Sequence, residues 1–487
     1  MVNRMSDIAA APTAVPADLS KRNNLVILIL LTSTFVVILN ETIMSVALPR
    51  LMEALDAKAS AVQWLTTAFL LTMAVVIPVT GFLIQKFNTR PLFILAMSLF
   101  SLGTLAGALS PTLGFLIVAR VIQAAGTAIM FPLLMTTVMT LVEPERRGKV
   151  MGDISLAISV APAIGPTASG VILNYLDWRF MFWIVLPVSL AALAFGWKRI
   201  VNVTEPKHVP VDYISVPLSA LAFGGLVYGL SSFGEPVADP RHIGLWALAI
   251  GGVSMVIFLA RQLYLQKGGS PLLDLRTFTS KNFSIAVLMM AIAMLALFGV
   301  IVLLPIYMQN VLGFDVLGTG LLLLPGGLLM GIMGPQVGKF YDKFGPRPLL
   351  LPGSIMVAGV LWAMTLMSPQ TWWVNILIGH LVMSIGLAMV FTPLFTVSLS
   401  SVKPELYSYG SAMLGTIQQV AGAAGVALLV SIMSATTARQ LTAGVGDKLA
   451  LSTGITTALT AAAVISLFAI AASVFIKRVP GGSAHGH

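Results

Sequence analysis

Cysteine is absent from this 487-residue chain, and charged residues are scarce. The missing thiols exclude disulfide bonds and thiolate chemistry. Charged side chains make up 9% of the residues and hydrophobic ones 57%, whereas about 25% of a typical soluble domain is charged. A water-soluble fold has no means of burying so much apolar surface, so we expect lipid to surround most of the chain.

Signatures of catalysis and of ATP use are also missing. The chain has no HExxH, GxSxG or GxxxxGK(S/T) motif. We therefore expect no enzyme, no bound metal and no direct use of ATP. The histidines do not cluster either, and they are His208, His242, His380, His485 and His487.

The sequence contains instead many apolar runs of about 20 residues, the length that the core of a bilayer requires. Fourteen such runs predict an all-α polytopic membrane protein. The predicted spans are 25–46, 62–84, 92–109, 113–142, 150–173, 180–201, 213–233, 243–265, 283–311, 317–340, 349–367, 372–397, 411–433 and 451–476.

The positive charges orient these spans. With the N-terminus inside, most of the 28 Lys and Arg residues fall in cytoplasmic segments, as the positive-inside rule requires. Both termini are therefore expected in the cytoplasm, with 1–24 a flexible leader and 478–487 a tail. The net charge of +10 then reflects topology and does not indicate a nucleic-acid partner. The exceptions are Arg120, inside a span, and the outer-loop residues Arg50, Lys58, Arg179, Arg241, Arg439 and Lys448.

Two pairs of similar segments indicate an internal duplication. Residues 126–148 resemble 386–410 at a displacement of 260, and residues 81–91 resemble 338–348 at a displacement of 257. Either displacement shifts the pattern by eight spans, an even number, so the two halves run parallel. We expect a six-helix half at 25–201 and another at 283–477. An inserted helix pair with its flanking loops would occupy 202–282.

Four stretches then carry a family resemblance. They are LNETIMSVALP at 39–49, the loop GFLIQKFNTRP at 81–91 with its copy GKFYDKFGPRP at 338–348, APAIGPTASG at 161–170, and LPIYMQNVLGFDVLGTGLLLLPGG at 304–327. Together they resemble the major facilitator superfamily, in particular its fourteen-helix drug:proton antiporter family. The resemblance implies two six-helix halves plus two inserted helices, and transport driven by a proton gradient.

The chain departs from the family pattern at several positions. The first-helix motif usually has its aspartate where this chain has Asn40, and the acid here is Glu41, one residue later. The first loop has Gln85 where an aspartate is usual and Asn88 where a glycine is usual, while the second copy keeps Asp342 and Gly345. The motif on the fifth span has Ala161 and Ser169 in place of glycines.

Glu41 is the candidate for proton coupling, because it is the only carboxylate well within a predicted span. A charge at mid-bilayer costs at least about 2.5–3.5 kcal/mol, so such a residue faces a cavity or a partner. Glu41 would hold and release a proton, and a cationic substrate would compete for it. The alternatives are a permanent ion pair with Arg120 or a polar residue wetted by the outer loop.

Two polar stripes accompany these charges. Thr34, Glu41 and Ser45 share one face of the first span, and Arg120, Gln123 and Thr127 share one face of the fourth. The resemblance implies that both spans line a central cavity. For Arg120 we favour a field-tuning role over direct contact with substrate.

His380 is the counterpart of Arg120 at the displacement of 260, and Ser384 follows one turn later. A histidine that titrates near neutral pH is suited to sensing or relaying protons. A neutral histidine bonded to a backbone carbonyl or hydroxyl is the simpler interpretation.

The fifth-span motif predicts close helix packing with a kink. Proline removes backbone donors, and small residues allow helices to approach. The resemblance implies a tight contact between halves that permits rocking without a proton leak, although ordinary helix packing would explain the same composition. The residues concerned are Ala161, Pro162, Gly165, Pro166, Ser169 and Gly170.

The loop motifs predict a cytoplasmic latch. Asp342 would accept hydrogen bonds from the N-terminus of the fifth span, where the helix dipole favours an anion, and Arg347 or Lys343 would add further bonds. Such a latch would stabilise the outward-facing state. The motif residues are Gly81, Gln85, Arg90, Gly338, Asp342, Gly345 and Arg347.

The sequence as a whole favours a proton-coupled antiporter that exports lipophilic or cationic drugs by alternating access. A proton-coupled uptake symporter and a lipid translocator remain as alternatives. We expect an amphiphilic small molecule and the lipid bilayer as partners, no cofactor besides the proton gradient, a monomer, and a location in the plasma (inner) membrane of a bacterium.

Overall fold

A computed structural model describes residues 17–57, 59–62, 64–203, 206, 212–233, 243–268 and 271–478. Within these residues all regular structure is helical. The α-helices are α1 Ala17–Ala54, α2 Ala59–Val62, α3 Trp64–Lys86, α4 Thr89–Ala108, α5 Leu113–Leu141, α6 Arg147–Tyr175, α7 Phe180–Arg199, α8 Ser215–Phe233, α9 Ile243–Gly268, α10 Lys281–Ile306, α11 Val316–Phe344, α12 Arg347–Met364, α13 Trp373–Ser400, α14 Tyr407–Thr442 and α15 Asp447–Phe475. A π-helical turn, Tyr307–Val311, extends α10.

Every predicted span lies on a separate long helix. In the described part of the chain, 13 helices are long and apolar enough to cross a bilayer, and α8 adds a shorter apolar stretch, Ser215–Leu230. The all-α polytopic class predicted from sequence is therefore confirmed.

Several helices run past the apolar segments that mark them. The predicted span 25–46 lies within α1, Ala17–Ala54, and the predicted span 411–433 lies within α14, Tyr407–Thr442. Hydropathy marks only the part of a helix that sits in hydrocarbon, whereas the backbone hydrogen bonds continue into water. Residues 17–24 of the predicted leader form the first turns of α1. Residues 1–16 and 479–487 of the predicted leader and tail lie outside the described residues.

The helices form two bundles. The first comprises α1 and α3–α7, and the second comprises α10–α15. Between them in sequence, α8 and α9 pack against each other, and α8 also packs against α3 and α14. Contacts between the bundles run mainly along two helix pairs, α6 with α11 and α3 with α14. The candidate residues lie on helices of both bundles, with Glu41 and Arg120 in the first and His380 and Asp342 in the second.

Glycine makes the first of these contacts very close. Gly148 and Gly152 of α6 lie against Gly338 and Gly334 of α11, and a Cβ added at any of them would overlap the facing helix. The backbones of α6 and α11 therefore touch directly over the cytoplasmic half of the molecule. We call this contact the glycine seam.

Candidate functional site

Arg120 on α5 is 1% exposed, and the groups that accept its hydrogen bonds are neutral. Its Nη1 donates to Asn40 Oδ1 of α1 at 3.2 Å and to Gln123 Oε1 at 2.7 Å. The guanidinium lies over the ring of Phe69 on α3, 4.0 Å from the ring centroid. Gln123 also donates from Nε2 to Thr104 Oγ1 on α4 at 2.8 Å. Two amide oxygens and an aromatic face, not a carboxylate, thus contact the guanidinium.

Glu41 is next to Asn40 on α1 but takes no part in this network. Within the described part of the chain, its carboxylate accepts no hydrogen bond and forms no ion pair within 4.0 Å. Glu41 is only partly buried, whereas Asn40 is 2% exposed. The ion pair with Arg120 that the sequence left open is not formed in this structure. The carboxylate is therefore available to a proton or to a cation.

The remaining polar residues of the two stripes have different environments. Thr34 Oγ1 is buried with no hydrogen-bond partner among the described residues. Thr127 donates to the carbonyl of Gln123 in its own helix at 3.0 Å. Ser45 belongs to α1, but its side chain lies outside the described part of the structure.

His380 on α13 faces α11. One ring nitrogen, Nε2, is 3.1 Å from the carbonyl of Leu323, and Nδ1 is buried without a partner among the described residues. Ser384 donates to the carbonyl of His380 at 2.8 Å. This arrangement agrees with a neutral histidine whose Nε2–H donates to the backbone. The tautomer follows from the hydrogen bond, because the carbonyl is an acceptor only.

The fifth-span motif lies on α6 and presents two packing faces. Thr42 of α1 lies against it, with Oγ1 3.4 Å from the carbonyl of Ala161, and a Cβ added at Gly165 would overlap Thr42. Ala163, on another face, packs against Gly327 of α11. Small residues in the motif therefore serve both the contact with α1 in the same half and the contact with α11 of the other half.

The other motif residues lie nearby on α6. Ser169 is buried and its hydroxyl approaches Met181 Sδ of α7 at 3.6 Å. Gly170 faces open space. Pro162 is part of the continuous helix, and the side chain of Pro166 lies outside the described residues.

Asp342 forms the contact that the sequence predicts. Its Oδ1 accepts from the backbone N–H of Gly148 at 2.7 Å, and its Oδ2 accepts from that of Lys149 at 2.8 Å. Both donors belong to the first turn of α6, where the helix dipole favours an anion. This carboxylate joins the C-terminal bundle to the N-terminal one at the cytoplasmic end. We call it the Asp342 latch.

Gln85 forms the counterpart contact with neutral groups. Its Nε2 donates to the carbonyl of Glu405 at 3.0 Å and to Ser408 Oγ at 3.1 Å, at the start of α14. Gln85 and Asp342 differ by 257 residues, and Gly148 and Ser408 differ by 260, so the same pseudo-symmetry relates both sides of the contact. We call this pair of bonds the Gln85 latch. Gly81, one turn earlier, packs against Ala412.

Arg347 and Arg90 of the loop motifs bond to groups outside α6. Arg347 donates from Nε to the carbonyl of Ile476 at 2.9 Å and from Nη2 to that of Val474 at 3.1 Å. It therefore caps the end of α15, whose unpaired carbonyls attract a cation. The backbone N–H of Arg90 donates to Asn202 Oδ1 at 3.2 Å. Gly345 has φ +81°, a conformation that favours glycine, at the turn between α11 and α12.

Side chains that the sequence did not single out close the cytoplasmic side of the site. Phe131 of α5 and Phe395 of α13 meet edge to face with centroids 5.8 Å apart. Two buried hydroxyl pairs also cross between the bundles, Thr136 with Ser411 at 2.8 Å and Thr392 with Ser155 at 2.9 Å. Sequence periodicity does not identify these residues, nor Phe69 and Thr104. Periodicity describes the faces of one helix, whereas the partners of these residues belong to other helices.

Comparisons with known proteins agree with this architecture. The family model described as Major Facilitator Superfamily matches residues 30–426. Lincomycin resistance protein LmrB of Listeria monocytogenes is 38% identical over 453 residues, which cover 92% of this chain and 95% of that protein. Multidrug export protein EmrB of Haemophilus influenzae is 29% identical over 409 residues, which cover 82% and 79%.

Two solved structures are similar in fold. The human organic anion transporter MFSD10 (TETRAN) has a TM-score of 0.67 at 14% identity, over 93% of this chain and 99% of that one. The proton:xylose symporter XylE has a TM-score of 0.64 at 15% identity, over 95% of this chain and 98% of that one. At these identities the likeness concerns the fold alone.

Proposed function

The chain belongs to the major facilitator superfamily and is a multi-pass membrane transporter, not an enzyme, and we propose that it exports lipophilic or cationic drugs in exchange for protons. The exchange would take place by alternating access across the plasma membrane of a bacterium. The proton gradient would be the only energy source. Glu41 would be the group that couples the two movements.

The free carboxylate of Glu41 is the observation that carries this proposal. Arg120, which the sequence offered as an ion-pair partner for Glu41, is already bonded to Asn40 and Gln123. A partly exposed carboxylate without a fixed partner can exchange a proton or a cation without first breaking an ion pair. Competition between these two ligands for one site is the simplest form of antiport.

The closed cytoplasmic side supports the same cycle. The Asp342 latch, the Gln85 latch and the glycine seam hold the two bundles together at that end. In this conformation Glu41, toward the outer end of the predicted span 25–46, would exchange protons with the outer side. Rocking of the bundles would then expose it to the cytoplasm, where substrate would replace the proton.

The direction of transport is taken from the relatives. LmrB and EmrB are named for resistance to lincomycin and for multidrug export. A symporter shares the fold, as the proton:xylose symporter XylE does, but fold does not determine the direction of transport. Export of amphiphilic compounds is therefore the favoured function, ahead of metabolite uptake or lipid translocation.

Inside-out vesicles with an imposed pH gradient and a fluorescent lipophilic cation test the proposal. Wild-type vesicles should accumulate the cation as protons leave. Glu41→Gln should insert normally, but its gradient-driven transport rate should fall by about tenfold or more, equivalent to about 1.4 kcal/mol or more. Glu41→Asp should keep part of the wild-type rate. Glu53→Gln removes an exposed acid near the end of α1 and should behave as wild type.

Equal, pH-sensitive transport by wild type and Glu41→Gln would rule out the role of Glu41 and leave His380 as the next candidate. Transport in the opposite direction would favour a symporter. A lack of cation transport together with gradient-dependent movement of labelled lipid would favour the lipid translocator.

A further inference from the structure

The inserted helices α8 and α9 are fastened to both bundles, at opposite ends. At the outer end, Tyr228 of α8 stacks on Trp64 of α3, with ring centroids 5.8 Å apart and ring planes 25° apart. One turn lower, Gly224 lies where a Cβ would be 3.3 Å from Leu71 Cδ1 and 3.4 Å from Val75 Cγ2 of α3. The outer half of α8 is thus attached to the N-terminal bundle.

At the cytoplasmic end, polar side chains tie α8 to α9. Arg261 of α9 holds Asp212 through two hydrogen bonds, Nε to Oδ2 at 2.7 Å and Nη2 to Oδ1 at 2.6 Å. Ser215, the first residue of α8, donates to Asp212 and accepts from Gln262 Nε2 at 2.8 Å. The four side chains form one connected cluster.

The same cluster holds the segment that leads into the C-terminal bundle. Gln262 Oε1 accepts from the backbone N–H of Leu272 at 2.7 Å and of Leu273 at 3.2 Å, and both leucines are buried. Just before them, the carbonyl of Pro271 accepts from Tyr409 Oη of α14 at 3.2 Å. Tyr409 adjoins Ser408 of the Gln85 latch. The cytoplasmic end of the pair is thus attached to the C-terminal bundle.

We propose that α8 and α9 are a diagonal strut that joins the outer end of α3 to the cytoplasmic end of α14. The reason is geometric. When two neighbouring rods rock in opposite senses about their middle, their outer ends approach as their inner ends separate. The distance from the outer end of one rod to the inner end of the other then stays constant to first order.

A strut on that diagonal therefore permits alternating access and opposes other motions. It resists lengthwise sliding of one bundle past the other and separation of α3 from α14, either of which changes the diagonal distance. The inserted pair would thus confine the bundles to the rocking motion. This role is independent of which compound is transported.

Distances between spin labels test the strut, and the natural absence of cysteine leaves only introduced sites to be labelled. Glu53→Cys and Lys403→Cys define the diagonal, Glu53→Cys and Arg439→Cys the outer ends, and Glu145→Cys and Lys403→Cys the cytoplasmic ends. We expect a narrow diagonal distribution in the parent. The mean diagonal distance should not change when Asp342→Asn opens the cytoplasmic side. The distance between the two cytoplasmic labels should increase in the same variant.

Loosening either attachment should broaden the diagonal distribution about twofold, since domain motions are no longer confined. Gln262→Leu with Tyr409→Phe loosens the cytoplasmic end, and Tyr228→Leu loosens the outer end. Tyr264→Phe, which alters an exposed tyrosine of α9, is the matched control and should leave the width unchanged. An unchanged diagonal in both loosened variants would overturn the proposal, and so would broadening in the control. These readings need no substrate, so they stand apart from the transport assay.

Discussion

At the scale of single residues, Gly165 and Gly170 occupy the same motif of α6 but have opposite surroundings. A Cβ at Gly165 would overlap Thr42 Oγ1 of α1, whereas one at Gly170 would meet nothing within 4 Å. The composition of the motif predicts close packing, but only the structure distinguishes the two glycines.

Gly165→Ala should therefore destabilise the protein by about 1–3 kcal/mol, because overpacking forces α1 and α6 apart. Gly170→Ala should be neutral or stabilising by up to about 1 kcal/mol, since alanine favours the helix more than glycine does. Thermal unfolding in detergent measures both. Equal melting temperatures for the two variants would show that α1 and α6 tolerate a wider separation.

The charged residues illustrate how far sequence can go at this scale. Glu41 and Arg120 stand out because ionisable residues within a span are costly. The surroundings of Arg120 and Gln123 do not stand out in the same way, because Phe69 and Thr104 are ordinary residues until α3, α4 and α5 meet. The sequence therefore identifies the two charged residues, Glu41 and Arg120. The hydrogen bonds between helices are needed to show that these two residues are not paired with each other.

At the scale of helices and their connections, Asp212 fixes the cytoplasmic end of the inserted pair. Its hydrogen bonds from Arg261 lower the pKa of its carboxyl from the ordinary 3.8 to about 2. A lowered pKa means that the folded protein prefers the ionised form. The resulting stabilisation is complete above pH 4 and is lost as the pH falls through about 2.

Asp212→Asn should lower the melting temperature by a similar amount at every pH from 5 to 8, reflecting the loss of about 1.5–3 kcal/mol of charge-assisted bonding. The difference from wild type should shrink as the pH falls below 4. Melting curves of both proteins across this range provide the measurement. A difference that varies between pH 5 and 8 would point to another titrating group.

Helix existence was predictable, but helix length was not. Apolar runs predict all fourteen long helices of the described chain, since the bilayer imposes its thickness on each. The ends of α1 and α14 extend into water, where the residues are no longer apolar and hydropathy does not mark the helix. The attachment of α8 and α9 to other helices could not be predicted from the sequence either, because it depends on single side chains such as Gln262 and Tyr409.

At the scale of the whole molecule, two latches close the cytoplasmic side, and they differ in charge. The displacements of 257 and 260 residues predict that Asp342 meets the start of α6, and the structure has that contact. The same pseudo-symmetry pairs Gln85 with the start of α14, where an amide donor replaces the carboxylate.

Asp342→Asn should favour opening of the cytoplasmic side by about 10- to 100-fold, because hydrogen bonds to a charged group contribute about 1.5–3 kcal/mol. Gln85→Met, which removes two neutral bonds at similar volume, should have a smaller effect. A cysteine introduced at Ser155, itself 6% exposed, reports opening through its rate of alkylation from the cytoplasm. A larger effect of Gln85→Met would assign the main closure to the pair α3 and α14.

The glycine seam has a consequence for how the two bundles part and meet again. Two surfaces with interlocking side chains must reset many rotamers each time they part and meet again. Gly148 and Gly152 have no rotamers, and neither do Gly334 and Gly338. Their backbones are held by weak contacts that can be broken one after another. The seam can therefore part and re-form without any side chain of these four residues changing its rotamer.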